Sequence, residues 1–154
     1  MISTLECQMG NRISHSLCLA ISLFIATIAC GCVTSATSLA TSEASLDAGL
    51  RAFEEKDWAT AETNLSAAVV NGHLQPDLTE IALRSLAVAR IHLDKLTAAE
   101  SDLMVLSQNA ADMDLYWLAC AELALKKGDL EAARDAANQA REFNPGVELP
   151  SELK

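Results

Sequence analysis

The sequence predicts an all-α protein of about six helices, arranged as three successive helix-turn-helix hairpins and preceded by a signal segment. Three observations carry this expectation. Alanine is very common while Phe, Trp and Tyr make up only 4% of the 154 residues, a composition that favours closely packed helices over a sheet core. Beyond about residue 43, apolar side chains recur at helical spacing. Three stretches also share one pattern: Trp58, Leu96 and Leu130 each open the second helix of a pair, and Ala61, Ala99 and Ala133 follow in the same register.

The N-terminal segment is of another kind. Residues 1–16 carry little pattern, and Met9 is an alternative start to Met1, since Met9-Gly10-Asn11-Arg12 makes a short positive n-region. From Leu17 to Ala29 the chain is apolar apart from Ser22 and Thr27. About a dozen residues match the h-region of a secretory signal and fall short of the ~20 that span a bilayer as a helix. Small residues then lead into Cys30-Gly31-Cys32, which resembles a bacterial lipobox. That resemblance implies cleavage just before Cys30 or Cys32 and lipidation of the same thiol. Each buried acyl methylene adds ~0.8 kcal/mol, so several chains on one cysteine hold firmly. Plain cleavage after Ala36 or Ala40 is the main alternative, and an uncleaved anchor the other. The expected signal is 1–32, and 33–42, rich in Ser, Thr and Ala and uncharged, reads as a flexible tether. Neither Gly31 nor Val33 is the aspartate that resembles an inner-membrane retention signal, so the expected place is the bacterial envelope, at the outer membrane where one exists.

The helices follow in order. Leu46, Leu50 and Phe53 share one face of the first, which ends near Glu55-Lys56-Asp57. Trp58, Ala61, Leu65, Ala68 and Val69 line the second, up to the stop at Asn71-Gly72. Pro76-Asp77-Leu78-Thr79-Glu80 starts the third, with Asp77 expected as N-cap and Glu80 in a capping box. That helix carries Leu83, Leu86, Ala87 and Ile91 and breaks near Asp94-Lys95; the fourth carries Leu96, Ala99, Leu103 and Leu106 and frays after Asn109. Asp112 is expected to cap the fifth, which runs through Trp117 to about Lys127. Gly128 turns the chain, Asp129 caps the sixth, and Asn144-Pro145 stops it. The hairpins are thus about 43–75, 79–111 and 113–146, with a tail at 147–154.

Leu96 and Leu130 stand 34 residues apart, Trp58 and Leu96 38, and the extra length is expected in the loop from Asn71 to Asp77. Small residues at Gly49, Ala87 and Ala121 fall where paired helices approach. With Trp117, Gly128-Asp129-Leu130, Ala133 and Pro145, this pattern resembles the tetratricopeptide repeat (TPR) family over residues 43–146. The family glycine before the second helix is replaced by Lys56 and Asp94, and its large aromatic by Leu65, Leu103 and Ala137. The resemblance implies a right-handed α-solenoid whose first helices line a concave groove for an extended or helical peptide. In that register the groove residues are Leu46, Leu50, Phe53, Ile81, Arg84, Val88, Ile91, His92, Leu118, Glu122 and Lys126. The basic clamp that holds chaperone C-termini in some TPR domains is absent, since Leu46, Leu50, Ser85, Leu115 and Ala119 occupy its positions.

Charge narrows the function. With 21 acidic against 11 basic residues and a net charge of −10, nucleic-acid binding is disfavoured. His15, His73 and His92 are too scattered for a metal motif, no Gly-rich loop precedes a helix, and no nucleophile has a base at motif spacing. Cys120 reads as a small buried hydrophobe. The expectation is a non-enzymatic, lipid-anchored envelope adaptor without a cofactor, binding a protein or peptide partner. Similarity to small TPR lipoproteins implies a role in assembling a secretion, pilus or outer-membrane complex. The alternative is a self-associating structural protein of the envelope, a homo-oligomer.

Overall fold

Three turns of the same geometry set the architecture. Lys56, Asp94 and Gly128 all have positive φ, at 60°, 58° and 79°. Around each, two backbone N–H groups close back on the helix just completed: Lys56 and Asp57 on Phe53 and Ala52, Asp94 and Lys95 on Ile91 and Arg90, Gly128 and Asp129 on Leu125 and Ala124. This is one C-terminal motif used three times, with a left-handed residue closing the helix and turning the chain into the next. Each turn therefore makes a hairpin, although only the third has the glycine that the conformation favours.

The computed structural model describes residues 39–108 and 110–154. The expected signal segment with Cys30 and Cys32, and residues 33–38 of the expected tether, lie outside the described residues. Six helices run in order: α1 over 39–54, α2 Trp58–Asn71, α3 Pro76–His92, α4 Leu96–Leu106, α5 Met113–Lys127 and α6 Leu130–Phe143, followed by a 3-10 turn at Ser151–Leu153. The described residues contain no strand, and the protein is all-α with a repeat-like order of hairpins. Within this unit α3 packs on α2 and α4, and α5 on α3, α4 and α6.

Helix starts follow local chemistry at α2, α3 and α6 and a tertiary contact at α5. Asp57 and Asp129 each accept from the backbone N–H three residues on, at Thr60 and Ala132. The expected cap at Asp77 is not formed, because α3 begins two residues earlier, at Pro76 with Gln75 as N-cap, where the missing N–H and fixed φ of proline suit the first helical position. Glu80 does not fold back in a capping box either. Its carboxylate accepts from the N–H groups of Ala111 and Asp112, at 3.0–3.1 Å, and so fixes the start of α5. The register equivalent, Asp114, accepts from the Asn144 side chain at 2.9 Å and fixes the end of α6. Asp112 flanks α5 as expected but its side chain turns to Arg84 at 3.3 Å.

Two expected boundaries move. Residues 39–42, the end of the expected tether, are helical, and Ser42 is buried, so α1 starts earlier than its charge and hydropathy pattern alone shows. The extra residues of the first period are not all loop: α5 starts at Met113, whose register equivalent is Thr79, yet α3 starts at Pro76. Most of the added length is an additional turn at the front of α3, where new backbone hydrogen bonds satisfy groups that a longer loop would leave to water.

Side chains at the register positions make the core. Ala61, Ala99 and Ala133 are fully buried, as are Leu65, Ala87 and Ala121. Gly49 explains the first hairpin most directly, since a Cβ there would lie 2.7 Å from Cγ of Leu65. Leu46, Ala52, Ala61, Leu65, Ala68, Ala82, Leu86 and Ala89 form one apolar cluster, and Ala87, Ile91, Ala99, Leu103, Leu106, Ala119 and Leu123 the next. Ala121, Ala136, Ala137 and Leu149 make the third. Each fully buried leucine contributes about 2 kcal/mol.

Leu149 belongs to the tail, which thus docks rather than trailing free. With Val147 and Leu153 it covers Trp117, Leu118 and the small residues of α5 and α6. It closes the apolar end of the last hairpin, the role a capping element has in a repeat protein. The indole N–H of Trp117 is buried there without an acceptor among the described residues.

Polar groups tie the hairpins together. Arg90 on α3 holds Asp102 on α4 through both carboxylate oxygens, at 2.6 and 2.8 Å, and reaches Glu62 on α2 at 3.4 Å. Lys95 also binds Glu62, at 2.6 Å, and the register equivalent of Glu62, Glu100, is bound by Lys127 at 2.9 Å. The same position thus takes a lysine from further along the chain twice.

Candidate functional site

One cleft of ≈ 590 Å³ opens where the C-terminal end of α3, the second half of α5, the start of α6 and the tail meet. Ile91 and His92 come from α3, Glu122, Leu125 and Lys126 from α5, Leu130 from α6, and Glu148, Leu149, Pro150 and Glu152 from the tail. The left-handed turn at Gly128 brings Leu130 back beside Leu125, and the docking of Leu149 carries the tail glutamates to the rim. The walls are apolar and the rim is charged, the composition of a ligand or peptide cleft.

Four of the eleven expected groove residues, Ile91, His92, Glu122 and Lys126, come together here. Ile91 is only 1% exposed, so it forms the floor and belongs to the core at the same time. The other seven lie elsewhere. Leu46 is buried against Ala61 and Leu65 in the first cluster, because its face of α1 is the one that meets α2. It is a packing residue, and the expectation of an accessible groove position there is corrected. Leu50 and Phe53 are half-buried against the same cluster, Val88 against the second and Leu118 against the third. Ile81 and Arg84 are also half-buried, and the Arg84 charge is met by Asp112.

An aromatic path links α1 to the cleft. Phe53 meets Trp58 edge to face at 5.4 Å, and Trp58 stacks on His92 at 4.1 Å with only 6° between the ring planes. The sequence presented Trp58 as a register marker and His92 as a groove residue, but not their contact, which the α1–α2 turn and the length of α3 decide together.

Electrostatics distinguish the cleft residues. Burial, followed by the charges of Lys126 and Lys56, holds the His92 imidazole below its ordinary pKa and favours the neutral ring. Burial alone raises the Glu122 carboxyl above the usual carboxylate range, and no hydrogen bond or ion pair reaches it among the described residues. Lys126, one turn further along α5, engages Asp94 at 3.3 Å instead. Glu148 also has no ion-pair partner among the described residues, and the Glu152 carboxylate accepts only from Ser151.

The remaining reactive side chains lie away from this cleft. Tyr116 is pushed up to about 12, by burial and then by Cys120, and burial likewise raises the Cys120 thiol. Both shifts oppose the ionised form that nucleophilic chemistry needs. Among the described residues no three His, Cys, Asp or Glu side chains come together to hold a metal, and no described helix is long and apolar enough to cross a membrane.

The tail glutamates, Leu125 and Leu130 were not among the expected groove residues. Val147, Leu149 and Leu153 gave the usable signal: three apolar residues at short spacing in the segment that follows Pro145. No protein-family model, curated protein or solved structure matches the chain.

Proposed function

We propose that the chain is a three-repeat, TPR-like right-handed solenoid that binds a protein or peptide partner, with the cleft between α3, α5 and the tail as its principal contact. The convergence of Ile91, His92, Glu122 and Lys126 on one open cleft carries this reading, because the repeat register drew them as two pairs from two helices, α3 and α5. The repeated left-handed turns at Lys56, Asp94 and Gly128 support the repeat assignment. Lipidation at Cys30 or Cys32 would hold the domain on the envelope, where it would serve as a non-enzymatic adaptor in the assembly of a secretion, pilus or outer-membrane complex.

Photo-crosslinking tests the contact surface. A photoreactive residue in place of Lys126 is expected to capture a partner that the same group at Met104, exposed on α4, does not. Capture from position 104 alone would move the site off the cleft, and capture of only the same chain would replace the adaptor by a self-associating structural protein. Intact-mass measurement of detergent-extracted protein tests the anchor. A lipid-sized increment, lost when Cys30 or Cys32 becomes serine, is expected; a soluble product starting near Thr37 or Thr41 would remove the lipid from the proposal.

A further inference from the structure

We infer that the cleft takes a cationic segment of a partner protein, one arginine or lysine flanked by apolar residues, with the charge seated on Glu122. This rests on the cleft being the partner site and adds the chemistry of its occupant.

Glu122 is the point of departure. A half-buried carboxylate ordinarily recovers its lost hydration through hydrogen bonds or a cation, and Glu122 has neither among the described residues. The one lysine within a helical turn, Lys126, is engaged with Asp94. Folding has already removed part of the water from Glu122, so a cation brought by a ligand meets a carboxylate whose dehydration is partly complete.

The surroundings favour the same occupant. Glu148 and Glu152 stand on the tail side of the cleft, so the three carboxylates face it from two separate parts of the chain. The His92 ring on the opposite side is held neutral by burial and adds no opposing charge at neutral pH. The net charge of −10 extends the attraction beyond the cleft and speeds encounter with a basic partner. Ile91, Leu125, Leu130 and Leu149 supply apolar walls, and Leu130 is 51% exposed, which leaves apolar area for the residues beside the cation. An arginine suits the site better than a lysine because its flat, weakly hydrated fork can lie along the apolar walls while bonding to a carboxylate.

The test uses the full chain in detergent and three blocked synthetic peptides: alternating leucine and arginine, the same sequence with citrulline for arginine, and alternating leucine and glutamate. Titration calorimetry at about 0.15 M salt gives the affinities, and in a Trp117→Phe background the fluorescence of Trp58, stacked on His92, reports events on that side of the cleft. The arginine peptide is expected to bind at least ~10-fold more tightly than its uncharged citrulline counterpart, about 1.4 kcal/mol. Glu122→Gln should remove most of that difference, while Glu43→Gln, which makes the same change in net charge on an exposed part of α1, should leave it.

Equal affinity for the arginine and citrulline peptides, or equal weakening by both substitutions, overturns the assignment of the cation to Glu122. If the citrulline or glutamate peptide binds best and changes Trp58 fluorescence, the cleft remains a peptide site and only the cationic occupant is wrong. Binding of none of the peptides overturns the cationic occupant, and a dimer in sedimentation that Lys126→Glu dissociates overturns the partner site as well.

Discussion

Arg90 and Asp102 lock α3 to α4 through a two-pronged contact of 2.6 and 2.8 Å, with side chains 18% and 12% exposed. Burial raises the Asp102 carboxyl in spite of the arginine, so the pair does not fully offset the dehydration of its own carboxylate. Its contribution is specific placement of the two helices more than net stability. Removing one partner leaves the other charge stranded. Arg90→Ala should therefore destabilise by about 3 kcal/mol, while the double replacement Arg90→Met with Asp102→Leu should lie within about 1 kcal/mol of the parent. Urea unfolding of the three variants checks this; a double variant as unstable as the single would show that the pair itself contributes strongly.

Gly49 is a steric requirement of the first hairpin. A methyl group there meets Leu65 at Cγ and Cδ2, 2.7 and 2.8 Å away, and at its backbone nitrogen, 3.0 Å away, and Leu65 is fully buried. Gly49→Ala is expected to cost about 1–3 kcal/mol although alanine is the better helix former. In a double-mutant cycle, Leu65→Ala should be less harmful in the Gly49→Ala background than alone. Independent, additive losses would contradict the close contact.

The three hairpin turns offer a matched series. A non-glycine residue in the left-handed region costs roughly 1 kcal/mol, and Lys56 and Asp94 both bear it. Lys56→Gly should stabilise by about 0.5–1 kcal/mol, and Asp94→Gly by less because Lys126 loses its partner. Gly128→Ala, at φ 79°, should destabilise by about 1 kcal/mol. Thermal melts in which Lys56→Gly falls below the parent would refute this account of the turns.

His92 makes stability depend on pH in a defined direction. Its folded pKa lies below the unfolded value of about 6.5, so the folded protein binds fewer protons between the two. The neutral ring's contribution is complete above about 6.5 and is lost as pH falls towards the folded value. His92→Phe keeps a ring on Trp58 and removes the titration, so the melting temperature of the parent should fall relative to this variant between about pH 7 and 5. Asp102 and Glu122, both raised, shift stability the opposite way but are common to the two proteins. A constant difference across that range would remove His92 as the cause.

Much of the fold was legible because it depends on residues close in sequence. Trp58, Leu96 and Leu130 open helices as the repeat register required, and Ala61, Ala99 and Ala133 are the buried small residues packed behind them. Caps at Asp57 and Asp129 use atoms only three residues apart. Glu80 shows where this reading stops: its position suits a capping box, yet its carboxylate serves Ala111 and Asp112, 31 and 32 residues away. The extra turn of α3 was likewise read as loop, because helix and loop there share the same polar residues.

The candidate site was legible only at its helical edge. The spacing that the resemblance to TPR hairpins implies placed Ile91, His92, Glu122 and Lys126 at groove positions, and those four line one cleft. The same spacing admitted Leu46, since periodicity identifies an apolar face without saying whether a neighbour or a ligand covers it.

The sequence by itself determined an all-α chain, its three turns and the small residues at its closest approaches, because those follow from backbone sterics and short-range periodicity. Only the tertiary structure decided that Trp58 lies on His92, that Arg90 holds Asp102, and that Leu149 folds back to bring Glu148 and Glu152 to the cleft of Glu122, which has no ion-pair partner among the described residues. Those contacts join parts of the chain whose meeting depends on how whole helices pack, and packing balances dehydration, shape and charge at once.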